Sequence, residues 1–464
     1  ATFKQSIKYK NWVLKDGSHY HHPFTSIRER PLDSSGDRWL NSDRSMPFMD
    51  TCAIQPAVCE ANLAPIVMRK NAATHTLNYA SHMNAQKFAD LLRDVSVVRG
   101  VNHIQANLTD VKQNDCGWIE SIATDRTEPI TADIFVDCTG FQGHLIAKTL
   151  NVGFEDYSQF LLCDRAVTMH LPYETLYPGT VRPYTTATAL SNGWVWDIPM
   201  QNQRSIGYVH SSQFIDKASA ESELRAYQGP GTEAIDVRFV PFKVGRRHQL
   251  WRHNCIAIGL AGGFIEPLES TGLYLSDLGA VLLAEHWPSN TAAVQKLSER
   301  YNRLMANRYY EILDFINMHY CLTKRNDTEF WREVQKPERI NPRLKAKLAM
   351  WETKPPSAHD FEDQWFEGME SINGIFDFSH IGGRPPVDTG GLWNHESYEC
   401  ILYGMHYTPT IDSADSKHRP PAARNKLTEQ AMMMLTILPD HVDVLSKALG
   451  MKAYHKAYTP MGWT

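Results

Sequence analysis

Two tryptophans one residue apart occupy the string Gly193-Trp194-Val195-Trp196-Asp197-Ile198-Pro199. Branched and aromatic residues running into a proline stop read as a half-buried strand. Side chains alternate across a strand, so Trp194 and Trp196 fall on one face and form a wide, stiff wall. Such a wall needs a sheet around it and a large core beside it. The 464 residues suffice for that, with room for two sub-domains. A net charge of −5 offers no hint of a nucleic-acid or membrane surface. The eight cysteines are scattered and contain no CxxC pair, so neither a disulfide framework nor a zinc site is expected. A reducing cytoplasm is the simplest setting. No apolar run is long enough to span a bilayer, and Ala1–Gln5 is no signal peptide.

Apolar spacing predicts a helix over 84–99 with Ala85, Phe88, Leu92 and Val95 on one stripe. Short strands are expected at 101–106, 117–122, 134–136, 184–190, 194–198, 205–210 and 255–258. A helix is expected from near Leu268 to Glu285, and further helices at 295–318, 344–352 and 426–448. The expected architecture is α/β with mixed sheets to about residue 330 and mostly helical beyond it.

Two turns read as anion cradles. Asp137-Cys138-Thr139-Gly140 closes a short apolar strand, a weak signal taken alone. The second is denser: a strand, then Gly259, Gly262 and Gly263, then Glu266-Pro267-Leu268-Glu269-Ser270-Thr271-Gly272 opening a helix. The first N–H groups of a helix have no internal partner and suit an anion. These segments, with the double-tryptophan string, resemble the flavin-dependent tryptophan halogenases. The resemblance also takes in Phe3–Trp12, the 82–99 helix, Leu161–Asp164, Gly207–Val209, Val244–Arg246 and His319–Trp331.

The resemblance implies an FAD-dependent monooxygenase-like fold. Residues 1–330 would form the FAD-binding and halogenation module, and 331–464 a mostly helical substrate-pocket sub-domain. The family opens with a βαβ unit carrying GxGxxG. This sequence contains no GxGxxG, and that unit is expected to precede Ala1 in the natural polypeptide. The family uses reduced FAD from a separate flavin reductase, with oxygen and chloride, bromide or iodide, to make hypohalous acid. A lysine and a glutamate then direct it onto an aromatic ring.

Carried over residue by residue, the IKxxNW pattern assigns the catalytic lysine to Lys8, with Lys4 and Lys10 as decoys of the same alternation. Glu269 is the carboxylate beside it; without the resemblance it is an ordinary helix-start residue. The resemblance assigns Thr139, Gly140, Trp194, Trp196, Ile198, Pro199, Gly259, Gly262 and Gly263 to the flavin side. Thr271 and Gly272 form the halide site, and Ser270 links it through its backbone to the lysine. HxF spacing selects His22 and Phe24 for the aromatic pocket, with Trp393 as the second stacking ring. Three nearby histidines raise a metal site, but no partner ligand is spaced for one, so none is expected.

The family's Tyr-Tyr pair ahead of the stacking indole is absent from 378–393, and Asp388 stands at the offset of the family's clamping glutamate. Free tryptophan is therefore expected to bind poorly, and a small indole, phenol or aniline to be preferred. Homo-oligomerisation is left open. The rival readings are a flavin monooxygenase of the same fold and a non-catalytic flavin-fold binding protein.

Overall fold

We describe residues 1–27, 35–69, 72–361, 392–410 and 419–449 of a computed structural model of the chain. The double-tryptophan strand Gly193–Pro199 lies in the middle of a seven-stranded sheet. Across that sheet the order is Arg238–Pro241, Arg165–Pro172, Gln203–His210, Gly193–Pro199, Thr185–Ala189, Ser6–Lys10 and His19–Pro23. Neighbours are antiparallel except Thr185–Ala189 with Ser6–Lys10, which run parallel. Trp196 lies opposite Gly207, and a Cβ at Gly207 would stand 2.1 Å from the indole. That glycine is the space the second tryptophan needs.

Two three-stranded sheets carry the glycine turns. In one, Phe135–Asp137 runs parallel to Cys255–Ala257. In the other, Gly245–Arg247 pairs with Phe154–Asp156 and Gly263–Phe264. The 31-residue helix Thr291–Cys321 begins at an Asn290 cap and crosses the core. On it, buried Asp314 takes ionic hydrogen bonds from Arg343 (3.1 Å) and Lys347 (3.0 Å), both on the helix Pro342–Trp351. Past residue 328 every described regular element is helical. One buried apolar cluster joins Tyr9, Trp194, Tyr310, Trp351 and Tyr398, and so takes in both the α/β part and the helical part.

Most expected strands form within one or two residues of their predicted places, with three corrections. The 101–106 stretch has no regular structure; the strand is Leu108–Gln113. The 426–448 helix is two helices, Lys426–Ile437 and His441–Leu449, because Pro439 cannot continue the first. The helix expected from Leu268 starts at Thr271, after a 3₁₀ turn Pro267–Glu269 and a left-handed Ser270 (φ 60°). The helix Ala85–Val98 forms on its Asn84 cap, yet none of its residues is buried and its apolar stripe is open.

Candidate active site

The N-terminal segment is not one continuous strand. Thr2–Lys4 pairs with Ala80–His82, whereas Ser6–Lys10 joins the large sheet. Gln5 makes the break. Its backbone N–H donates to the Pro183 carbonyl (2.8 Å) and its side-chain amide to the Leu63 carbonyl (2.7 Å). A two-residue period counted through Gln5 therefore fails. Lys4 is buried and its ammonium donates to the Ser270 hydroxyl at 2.8 Å. Lys8 sits on the sheet face opposite Tyr9 and pairs with Glu60 at 2.7 Å. The lysine brought to Glu269 and Ser270 is Lys4, and the expectation for Lys8 is corrected. Burial lowers the Lys4 ammonium to about 8, and the Glu269 charge offsets only part of that.

Glu269 is buried under three side chains from three elements. Tyr9 donates its hydroxyl to Oε1. His22 Nδ1 lies 3.1 Å from Oε1 and 3.2 Å from Oε2. His319 Nε2 stands 3.4 Å away, while its Nδ1–H is given to the Phe315 carbonyl at 2.8 Å. Burial pushes this carboxyl upward, but His22 and His319 outweigh it and hold the group well below the usual carboxylate range. Glu269 is thus a buried, oriented anion within the field of Lys4.

Three residues one turn apart on the long helix continue the site: Glu311, Phe315 and His319. Glu311 accepts from the backbone N–H groups of Leu392 (2.9 Å) and Trp393 (3.1 Å). That places the Trp393 ring parallel to Phe315, with centroids 4.1 Å apart and planes at 10°. Phe315 also faces His22 at 5.7 Å. Phe24 lies beside Lys4, whose Nζ is 5.5 Å from the ring centroid. His22, Phe24, Ser270, Glu269 and Trp393 are therefore linked through Lys4 and Phe315. A ring stacked on Trp393 has only the indole face that Phe315 leaves. Residues 378–391, which include Asp388, lie outside the described residues.

The turn 270–272 joins the lysine to the helix start. The link runs through the Ser270 hydroxyl, not through its backbone as expected. The Thr271 hydroxyl is buried without a hydrogen-bond partner among the described residues. A Cβ at Gly272 would meet nothing within 4 Å. An orphaned hydroxyl, open space and the first N–H groups of a 15-residue helix together fit a small anion.

On the flavin side the outcome is mixed. The single turns Gly140–Gln142 and Gly259–Ala261 pack side by side, and Gly140 (φ 67°) borders open space. The phosphate-facing donors expected at Thr139 are taken, however. Asp137 accepts from the N–H groups of Thr139 (3.0 Å), Leu145 (2.8 Å) and Ile146 (2.8 Å), and the Thr139 hydroxyl accepts from His144. This turn offers space more than donors. Gly263 is a packing glycine: its Cβ would stand 2.5 Å from the Gly245 carbonyl. Gly262 has a little more room, with a Cβ 3.1 Å from Leu250 and 3.2 Å from the Ala257 carbonyl. Pro199, at the far end of its strand, accepts from the Thr2 hydroxyl at 2.6 Å, and Ile198 is half-buried beside it. Trp194 is fully buried and meets Trp196 edge to face at 6.4 Å. Beside Trp194 lies Glu266, whose carboxyl burial raises to about 8, with Tyr320, Cys163 and Trp194 as polar neighbours.

Tyr9, Glu311 and Phe315 had no place in the sequence reading. For Glu311 and Phe315 the visible signal is their i, i+4, i+8 spacing with His319 on a long helix; Tyr9, on the strand Ser6–Lys10, has no such signal. Lys4 was visible only as a decoy.

The tryptophan halogenase family matches residues 1–420 of this chain. Tryptophan 6-halogenase SttH of Streptomyces toxytricini is 29% identical over 97% of this chain and 86% of its own length. The 7-chloro-L-tryptophan 6-halogenase KtzR of Kutzneria sp. is 30% identical over 97% of this chain and 87% of its own. The crystal structure of a tryptophan halogenase from Shewanella frigidimarina superposes with a TM-score of 0.83 at 27% identity, covering 97% of this chain and 82% of that one. The fold and these relatives define a flavin-dependent enzyme that halogenates an aromatic substrate, using FADH2 and halide and relying on a flavin reductase. The chain belongs to the tryptophan halogenase family. Among the described residues no helix is long and apolar enough to cross a membrane.

Proposed function

We propose that Lys4 and Glu269 are the catalytic pair of this halogenase, that Thr271 and Gly272 hold the halide, and that the substrate is a small electron-rich ring bound against Trp393. The observation that carries this reading is the Lys4–Ser270 hydrogen bond beside buried Glu269. When bound, reduced FAD supplies the oxygen chemistry that turns halide into hypohalous acid. Gly140 and Gly259, with the open space at Gly140, are the residues here that fit the cofactor. The Lys4 ammonium donates a hydrogen bond to hypohalous acid and polarises its halogen toward the ring. Ser270 holds that ammonium in place. Glu269, kept ionised by His22 and His319, stabilises the cationic ring as halogen adds and accepts its proton. The low-dielectric setting strengthens both effects. Chloride, bromide or iodide can serve at a site built from N–H groups and one hydroxyl.

The absence of Tyr-Tyr from 378–393 supports a substrate without the amino-acid head group. The helical part after residue 330 contributes Trp393 to its pocket. Equal amounts of tryptophan and indole, incubated with a flavin reductase, NADH, FAD and halide, are the test. Mass spectrometry should show halogenated indole formed at least as fast. Strong preference for tryptophan, halogenated at one ring position, would sink the substrate assignment and leave the catalytic pair standing.

A further inference from the structure

The opposite face of the outermost strands carries a cluster that halogenation does not use. His19 and His21 are two residues apart on His19–Pro23 and share a face, while Tyr20 and His22 point the other way. Glu60 ends the helix Gln55–Glu60 and reaches that face, with Oε1 2.8 Å from His21 Nε2. One ligand atom from each of His19, His21 and Glu60 lies within 4.8 Å of the others. We infer that His19, His21 and Glu60 form a binding site for a divalent cation of the zinc type.

Two imidazoles and a carboxylate are a sound donor set for such an ion, and they leave at least one coordination position open. The His21 ring is already oriented from behind. Its Nδ1 lies 2.9 Å from the Ser6 hydroxyl, the outer hydrogen bond that metal-bound histidines generally make. A hydroxyl both donates and accepts, so Ser6 tolerates the tautomer that frees Nε2 for a metal. The cluster lines a cavity of about 750 Å³ bounded also by Trp39, Arg44, Phe48 and Tyr403, which gives the ion a path and the open position room for water.

Lys8 competes with a cation for the same carboxylate. Its ammonium lies 2.7 Å from the same Glu60 oxygen and neutralises it. A cation taking that oxygen displaces Lys8, and the displaced charge opposes binding. Removing Lys8 should therefore tighten the site, whereas removing a ligand loosens it. A purely structural ion pair predicts no such opposition of signs.

The experiment uses tag-free protein stripped with a chelator, with Zn²⁺ titrated against a chromophoric competitor. The expected result is one Zn²⁺ per chain, with affinity falling at least about tenfold in His19→Ala, His21→Ala and Glu60→Gln. Lys8→Met should bind more tightly than wild type. Equal affinity in wild type and His19→Ala overturns the inference, as does no binding by wild type or weaker binding by Lys8→Met. His19 is exposed, so its variant decides the matter even where His21→Ala fails to fold. None of these readings uses turnover, so they stand apart from the assignment of Lys4 and Glu269.

Discussion

The outer strands divide two sites made from the same side-chain types. On one side are Lys4, Glu269, His22 and His319. On the other are Lys8, Glu60, His19 and His21. Their difference is solvent. The Glu269 side chain is 3% exposed and that of Glu60 43%. On the wet side, Lys8 and Glu60 form a direct ion pair, and His21 and Lys8 bring Glu60 down to about 2 although burial pulls it up. On the dry side, the ammonium is pushed down to about 8 and is held by a serine hydroxyl. Exposed ion pairs of the first kind are worth little and are screened by salt. Buried groups of the second kind act on a reacting molecule at far higher effective field strength.

The sharpest way to break this comparison is to exchange the lysines' fates. Lys4→Ala should lower halogenated product by about 10²–10⁴-fold, with flavin still oxidised, whereas Lys8→Ala should stay near the wild-type rate. Product mass spectrometry beside flavin absorbance reads both. The reverse pattern would return the catalytic role to Lys8.

The carboxylates come next. Glu269→Gln should cost at least about a hundredfold in turnover, and Glu60→Gln should leave turnover close to wild type. A loss under about threefold, well short of that range, would reduce Glu269 to a helix-start residue.

Gly207→Ala is expected to lower stability by roughly 1–3 kcal/mol, because its methyl must displace the Trp196 indole. Chemical denaturation measures it. An unchanged midpoint would show that the indole has room to move.

The effect confined to the narrowest range of conditions is on the pH dependence of folding. The folded Lys4 ammonium titrates near 8 and the unfolded one near 10.5. Between those values the unfolded chain binds more protons, so this lysine's contribution to stability rises with pH across the window, by up to about 1.4 kcal/mol per pH unit. It is lost again as pH falls through 8. Lys4→Met should remove that slope, and Lys8→Met should not. Denaturant titrations across the window, compared with wild type, provide the check.

Much of the chain was legible in its order of residues. Period-two alternation located the tryptophan strand, and helical spacing located the long helix that supplies Glu311, Phe315 and His319. Glu269 was legible because a whole segment, Glu266–Gly272, carries its identity. The choice of lysine rested on the IKxxNW match, because Lys4, Lys8 and Lys10 share one alternation; what separates them is the break at Gln5, which bonds to Pro183 and Leu63, far away in sequence, and leaves Lys4 at Ser270 and Lys8 at Glu60. The exposed stripe on Ala85–Val98 shows the same limit, since amphipathicity marks a face and not what covers it.

By itself, the sequence determined the family, the α/β-then-helical order and the tryptophan wall, and it singled out Glu269. These rest on local patterns, in which each residue's neighbours along the chain are enough. Only the tertiary structure decided which lysine meets that carboxylate, that Tyr9, His22 and His319 surround it, and that Glu60 joins His19 and His21. Those meetings join residues up to 266 positions apart, as Lys4 and Ser270 are. Burial then sets their charge states, and burial belongs to the packed chain rather than to any segment of it.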